Sequence, residues 1–220
     1  MNIFNIIGPV MIGPSSSHTA GAARIGRIAY KLLDEKPVKA EIGLCGSFAQ
    51  TYKGHGTDKA ILAGIMNMHT YDEGIRDAKK LADEYGLTYE FYTTEIKGAH
   101  PNTALIHLYG ESGKECSLQG VSVGGGNIEI RAVNGMNVNF NAEFNTLLVL
   151  HKDVKGTIAN VTEQVASMGV NIGNFRSSRP IKGQDALMTI EIDGTMSAEE
   201  VERLRHLPNV KNVVLVRALS

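Results

Sequence analysis

Thr146-Leu-Leu-Val-Leu-His151, the turn Lys152–Gly156 and the amphipathic stretch Thr157–Met168 follow one another directly, and their reading decides the fold of the second half of the chain. The apolar run is a buried strand. In the stretch after the turn, Ile158, Val161, Val165 and Met168 recur at helical spacing, with Thr157 as the expected N-cap and Gly169 as the stop. Val170–Arg176 and Ala186–Asp193 then read as two strands separated by the Pro180–Gly183 turn. Ser197 caps a second helix to about His206, with Glu199 and Glu200 in the first turn, where the helix dipole favours acids. Pro208-Asn209 ends that helix, and Val210–Leu219 supplies the last strand. The order β-α-β-β-α-β is the ferredoxin-like arrangement, two helices on one face of a four-stranded antiparallel sheet.

Working back toward the amino end, the pattern is less regular. Ala20–Glu35 reads as a helix with Ala23, Ile28 and Leu32 on one side and Arg24, Arg27 and Lys31 on the other. Val38–Leu44 alternates as a strand, Thr57–Met68 and Asp72–Tyr85 read as helices, and Leu87–Glu95, Thr103–Tyr109, Glu115–Val123, Asn127–Val133 and Asn137–Ala142 as strands. Helices first and strands later, without strict alternation, give an α+β class. The grammar changes near Asn145, so two domains are expected, residues 1–143 and 144–220.

Composition removes several functions. With 43% apolar and 20% charged residues in 220, the chain is globular, and its formal charge of −1 offers no field for nucleic acid or membrane. No apolar stretch is long enough for a bilayer, and Met1–Asn5 lacks a secretory n-region, so the expected location is cytoplasmic. Cys45 and Cys116 are the only cysteines. Two distant thiols have no zinc spacing and do not supply the three or four thiolates of a cluster, so no metal set is read in this chain and both are expected to be small buried hydrophobes.

Five polar loops, four of them in the first half, carry the candidate chemistry. Gly8-Pro9 and Gly13-Pro14 bracket Ser15-Ser16-Ser17-His18-Thr19, which runs straight into a helix. Free amides, hydroxyls and the dipole at such a start make an anion site, and His18 beside it can move a proton; a plain Ser cap with solvated neighbours fits the same residues. In Gly46–Asp58, His55 stands between two glycines just before Thr57, the expected cap of a second helix, with Ser47, Thr51, Tyr52 and Lys53 near; an ordinary strand–loop–helix junction is the bland reading. His100-Pro101-Asn102-Thr103 is a turn by spacing, and Gly124-Gly125-Gly126 is an amide cradle or a hairpin connection. In the second half, the loop with Asp153 and Gly156 either holds an amino-acid ligand or is a tight βα turn; with Asn171 these are the candidate regulatory contacts. No nucleophile elbow and no orienting acid support a Ser–His hydrolase.

Taken together, Gly-Pro-Ser-Ser-Ser-His-Thr at 13–19, Thr-Tyr-Lys-Gly-His-Gly-Thr-Asp at 51–58, His-Pro-Asn-Thr at 100–103 and the Gly124–Gly126 run resemble, in this order, the iron–sulfur L-serine dehydratases. The last 75 or so residues resemble an ACT domain. The resemblance implies a beta chain. Its first domain would be similar to the allosteric substrate-binding domain of some phosphoglycerate dehydrogenases, and an ACT domain would follow. It implies conversion of L-serine to pyruvate and ammonia without pyridoxal phosphate, through a [4Fe–4S] cluster held by a separate alpha chain, one iron acting as Lewis acid. Ser16, Ser17, His18 and Thr19 would then face the substrate, with His55 and Thr57 in the same site and His100 and Asn102 beside it. His18 or His55 would carry the proton, both being read at helix N-termini where neutral imidazole is favoured. Self-association through the ACT domain is expected. A stand-alone regulatory protein sensing amino acids or anions is the second reading.

Overall fold

The computed structural model describes residues 10–219, so Gly8-Pro9 and the Met1–Asn5 end lie outside the described residues. The chain divides into two compact units, Met1–Gly135 and Met136–Ser220.

The first unit begins with a single wide π-helical turn, Ser16–Gly21, that continues without a break into α1 (Ala22–Leu33). There follow β1 (Pro37–Leu44), α2 (Gly46–His55), α3 (Thr57–Ile65), a 3-10 turn at Glu73–Asp77, α4 (Ala78–Tyr85), β2 (Thr88–Thr93), β3 (Thr103–Gly110), β4 (Glu115–Gly124) and β5 (Asn127–Val133). Within this unit the strand order is β2-β1-β3-β4-β5; β1 and β2 run parallel and the other pairs antiparallel. The triple glycine spans the end of β4 and the β4–β5 turn, and the Gly126 carbonyl accepts from Arg24.

Helix α1 lies on β3 and β4 and also against α3, so it is covered over more of its circumference than a one-sided amphipathic helix. Ala23, Ile28 and Leu32 are buried as expected. Arg27 corrects the reading of a polar flank: it is only 6% exposed, and its Nη1 and Nη2 lie 3.1 and 3.3 Å from the two ring nitrogens of His69. The α1–α3 approach depends on two missing side chains. A Cβ on Gly64 would stand 2.1 Å from the Ala23 carbonyl oxygen, and one on Gly26 2.4 Å from that of Ile61.

The second unit contains β6 (Met136–Phe140), β7 (Asn145–Lys152), α5 (Thr157–Ser167), β8 (Ile172–Ser178), β9 (Asp185–Ile192), α6 (Ala198–Arg205) and β10 (Val210–Val216). From β7 onward the order is β-α-β-β-α-β, and the sheet order β10-β7-β9-β8 is antiparallel throughout, the expected ferredoxin-like fold. Strand β6 packs against β8 and β9 and so belongs with this unit. One core joins Leu147 and Val149 of β7, Val161 and Val165 of α5, Met188, Ile190 and Ile192 of β9, Val201 and Leu204 of α6, and Val213 of β10. Ser197 forms a capping box with Glu200, whose carboxylate accepts the Ser197 N–H.

Two details of α5 differ from the sequence reading. Gly156, with φ 88°, occupies the N-cap, and Thr157 is the first helical residue with a buried side chain. The buried stripe therefore runs Thr157, Val161, Val165, which leaves Ile158 on the flank at 42% exposed.

Candidate active site

The Ser-rich loop acquires its geometry from the wide turn that opens the first helix. Ser15 is its N-cap, its hydroxyl accepting the His18 N–H at 3.2 Å. Ser16 and Ser17 supply the first two amides of the helix, which no intrahelical carbonyl can reach. The turn is π-helical where Gly21 lies against Ser122, whose Oγ would be 2.1 Å from a Cβ at position 21. Such wide turns are rare and, where they occur, are frequently at functional sites.

His18 is held at both ring nitrogens. Nδ1 is 3.4 Å from the Ser15 hydroxyl and Nε2 3.1 Å from the Ser47 hydroxyl. Its ring also meets His55 edge-on at 4.9 Å between centroids, and Phe48 at 5.2 Å. Burial first, and the neighbouring His55 second, lower the His18 pKa below its ordinary 6.5, against an opposing hydrogen bond to the Ser47 backbone. Neutral imidazole is thereby favoured. The two motifs are also joined through Thr19, which is buried and donates its hydroxyl to the His55 carbonyl at 3.5 Å.

The second motif is built differently from the expected loop. Gly46–His55 is helix α2, so His55 is the last residue of one helix rather than a residue at the N-terminus of the next. Its ring therefore stands at the carbonyl end of α2 and not at the amide end of α3. Gly56, at φ 71°, forms the left-handed joint between α2 and α3 and also serves as the N-cap of α3. Thr57 is accordingly the first helical residue. Its side chain is fully buried and its hydroxyl has no hydrogen-bond partner among the described residues.

The third motif is spent largely on its own turn. The exposed His100 accepts the Asn102 N–H at Nδ1, and the Thr103 hydroxyl donates to the His100 carbonyl. Asn102 also donates its amide to the Ser122 carbonyl. Through the Pro101 carbonyl, which accepts the Phe48 N–H, this turn fixes the start of α2, the segment carrying Ser47.

Beside the histidine pair opens a cavity of about 550 Å³ lined by Thr19, His55, Lys53, Lys59 and Arg76 among others. Lys59 and Arg76 were not picked out from the sequence. Lys59 is an ordinary surface type on a helix, and Arg76 lies in a 3-10 turn with no motif around it, so only folding brings them together.

In the second unit, Asp153 accepts hydrogen bonds from the Gly183 N–H at 3.0 Å and from Arg179 at 2.7 Å; these two contacts, in that order, lower its pKa. Asn171 donates to Asp193. Asp153 and Gly156 lie past the Lys152–Asp185 end of β7, whereas Asn171 precedes β8 at the Ile192 end, roughly 20 Å away along the strands. These three residues do not assemble into one regulatory site.

Neither cysteine fits an iron–sulfur cluster. Cys45 bonds beside Thr103 and Cys116 pairs with Leu108, about 16 Å apart along β3. Both are buried and free, and burial pushes the Cys116 thiol up to about 12. Among the described residues no group of three or more His, Cys, Asp and Glu side chains is placed for a metal ion.

An α/β unit in which His18 meets His55, followed by a ferredoxin-like unit, sets the class: a two-unit chain with an ACT-like second half. Residues 2–90 match the model of the family described as serine dehydratase beta chain. The chain is 45% identical over 215 residues to the "Probable L-serine dehydratase, beta chain" of Bacillus subtilis, covering 98% of this chain and 97% of that one. It is 36% identical over 191 residues to the "L-serine dehydratase, beta chain" of Peptoniphilus asaccharolyticus, 86% of each chain. A D-3-phosphoglycerate dehydrogenase of Methanocaldococcus jannaschii is 25% identical over 198 residues, 89% of this chain but 37% of that enzyme. The chain belongs to the serine dehydratase beta chain family.

Proposed function

We propose that this chain is the beta subunit of an L-serine dehydratase, converting L-serine to pyruvate and ammonia together with an alpha chain that holds a [4Fe–4S] cluster. The observation that carries the reading is the clamped, neutral-leaning His18 beside His55 at the start of the first helix. The free amides of Ser16 and Ser17 suit the carboxylate of serine, and the Ser47 hydroxyl orients the ring. A neutral His18 is able to accept a proton, with His55 close enough to relay it. The location of the cluster on another chain is supported by the separation and burial of Cys45 and Cys116. No pyridoxal phosphate takes part in this reading.

In the second unit, strands β8 and β10 are sheet edges, and Gly173–Ser177 of β8 is exposed along its whole run. An open edge of this kind supports self-association through the ACT-like unit.

The test is anaerobic co-expression with an alpha chain followed by a pyruvate assay. Both chains together are expected to make pyruvate and each alone none; pyruvate from this chain alone would remove the split site. His18→Ala should lower turnover on the order of a hundredfold or more, as loss of a positioned proton carrier does. Unchanged turnover in both His18→Ala and His55→Ala would refute the assignment. A stand-alone sensor predicts no pyruvate with any partner.

A further inference from the structure

The cavity beside the histidine pair is chemically unlike a site for serine. Its lining carries Lys53, Lys59 and Arg76 and no carboxylate. An amino acid is a zwitterion, and its ammonium would meet three like charges there with no acid to receive it. Two acids adjoin the lining residues in sequence: Asp58 is already engaged, 2.6 Å from the Lys79 ammonium and accepting the Lys59 N–H, and Asp77, next to Arg76, is not part of the lining. Lys59 donates to the Arg76 carbonyl at 2.8 Å, which holds those two cationic residues on one rim, while the Lys53 ammonium lies over the Tyr52 ring.

We propose that this cavity binds a phosphate dianion, as the head of a small phosphomonoester, separately from the serine held at His18. Two negative charges match the three cationic residues that line the cavity, and a guanidinium with ammonium groups is the donor set that phosphate oxygens accept. The Thr19 hydroxyl and the start of α3 at Gly56 lie on the same wall. Ile12 and Ile75 supply an apolar side for the carbon portion of an ester. The volume, about 550 Å³, is that of a small-molecule site rather than of a bare ion. Since His55 lines the cavity and also touches His18, occupancy would be felt by the proton carrier.

The test uses calorimetry and phosphorus NMR on the full chain, without turnover, so its failure leaves the dehydratase reading untouched. The probes are glycerol 3-phosphate and inorganic phosphate, with acetate and L-serine as controls. Saturable binding of either phosphate probe is expected, tighter for the ester if the apolar wall contributes and equal for both if only the head is read. Lys53→Gln and Arg76→Gln, both exposed and unable to disturb the core, should each weaken binding roughly tenfold, the worth of one charge-assisted contact. The proposal is overturned by absence of saturable binding in the millimolar range, by equal affinity in both variants, by equal binding of acetate, or by displacement with L-serine.

Discussion

His18 is the residue whose environment has the clearest consequence. Its pKa in the fold lies below 6.5, so the unfolded chain binds the proton more readily than the native one. The stability that the neutral ring contributes is complete above pH 6.5 and is lost as the pH falls through the folded value. Urea denaturation between about pH 5 and 8 should therefore show the wild type losing stability on acidification more steeply than His18→Gln. Equal slopes would mean that the ring is not held neutral. Thr57 makes the opposite case, a polar group without a use in the fold. Its buried hydroxyl has no partner among the described residues, so Thr57→Val is expected to raise stability by about 1 kcal/mol, read as a higher urea midpoint. The sequence names both residues, yet their roles diverge on burial alone, which the motif does not contain.

Among the elements, α1 and α3 depend most on what is absent. A methyl at Gly64 must displace the Ala23 carbonyl, which belongs to the backbone of a packed helix and cannot swing aside. Gly64→Ala should cost about 3 kcal/mol, despite the better helix propensity of Ala. Gly54 in α2 has open space around it, so Gly54→Ala should gain up to about 1 kcal/mol in the same thermal melts. If both variants melted alike, the close approach would carry no energy. Element by element, apolar spacing revealed most helices and strands. It missed α2 because Gly46, Gly54 and the polar run between them read as a loop, and the helix owes its start to the Pro101 turn packed against Gly46 and Phe48. It also misread Arg27, because the second neighbour that buries it lies beyond the reach of a one-helix pattern.

At the scale of the molecule, each unit has its own interior. The core of the second unit draws on residues from Leu147 to Leu215, all within the unit, so a 136–220 fragment should fold alone with one cooperative thermal transition. A non-cooperative melt would show that this core needs the rest of the chain. The ferredoxin-like order and the Ser197 cap are written in the sequence because they follow from local period and turn chemistry. So are the His18 and His55 motifs, whose residue types suit proton transfer. What only the tertiary structure decided is their company: Ser47 on His18, Thr19 on His55, Lys59 and Arg76 around one cavity, and Asn171 far from Asp153. Those pairings bring together residues distant in the chain, and a linear pattern carries no distance between them.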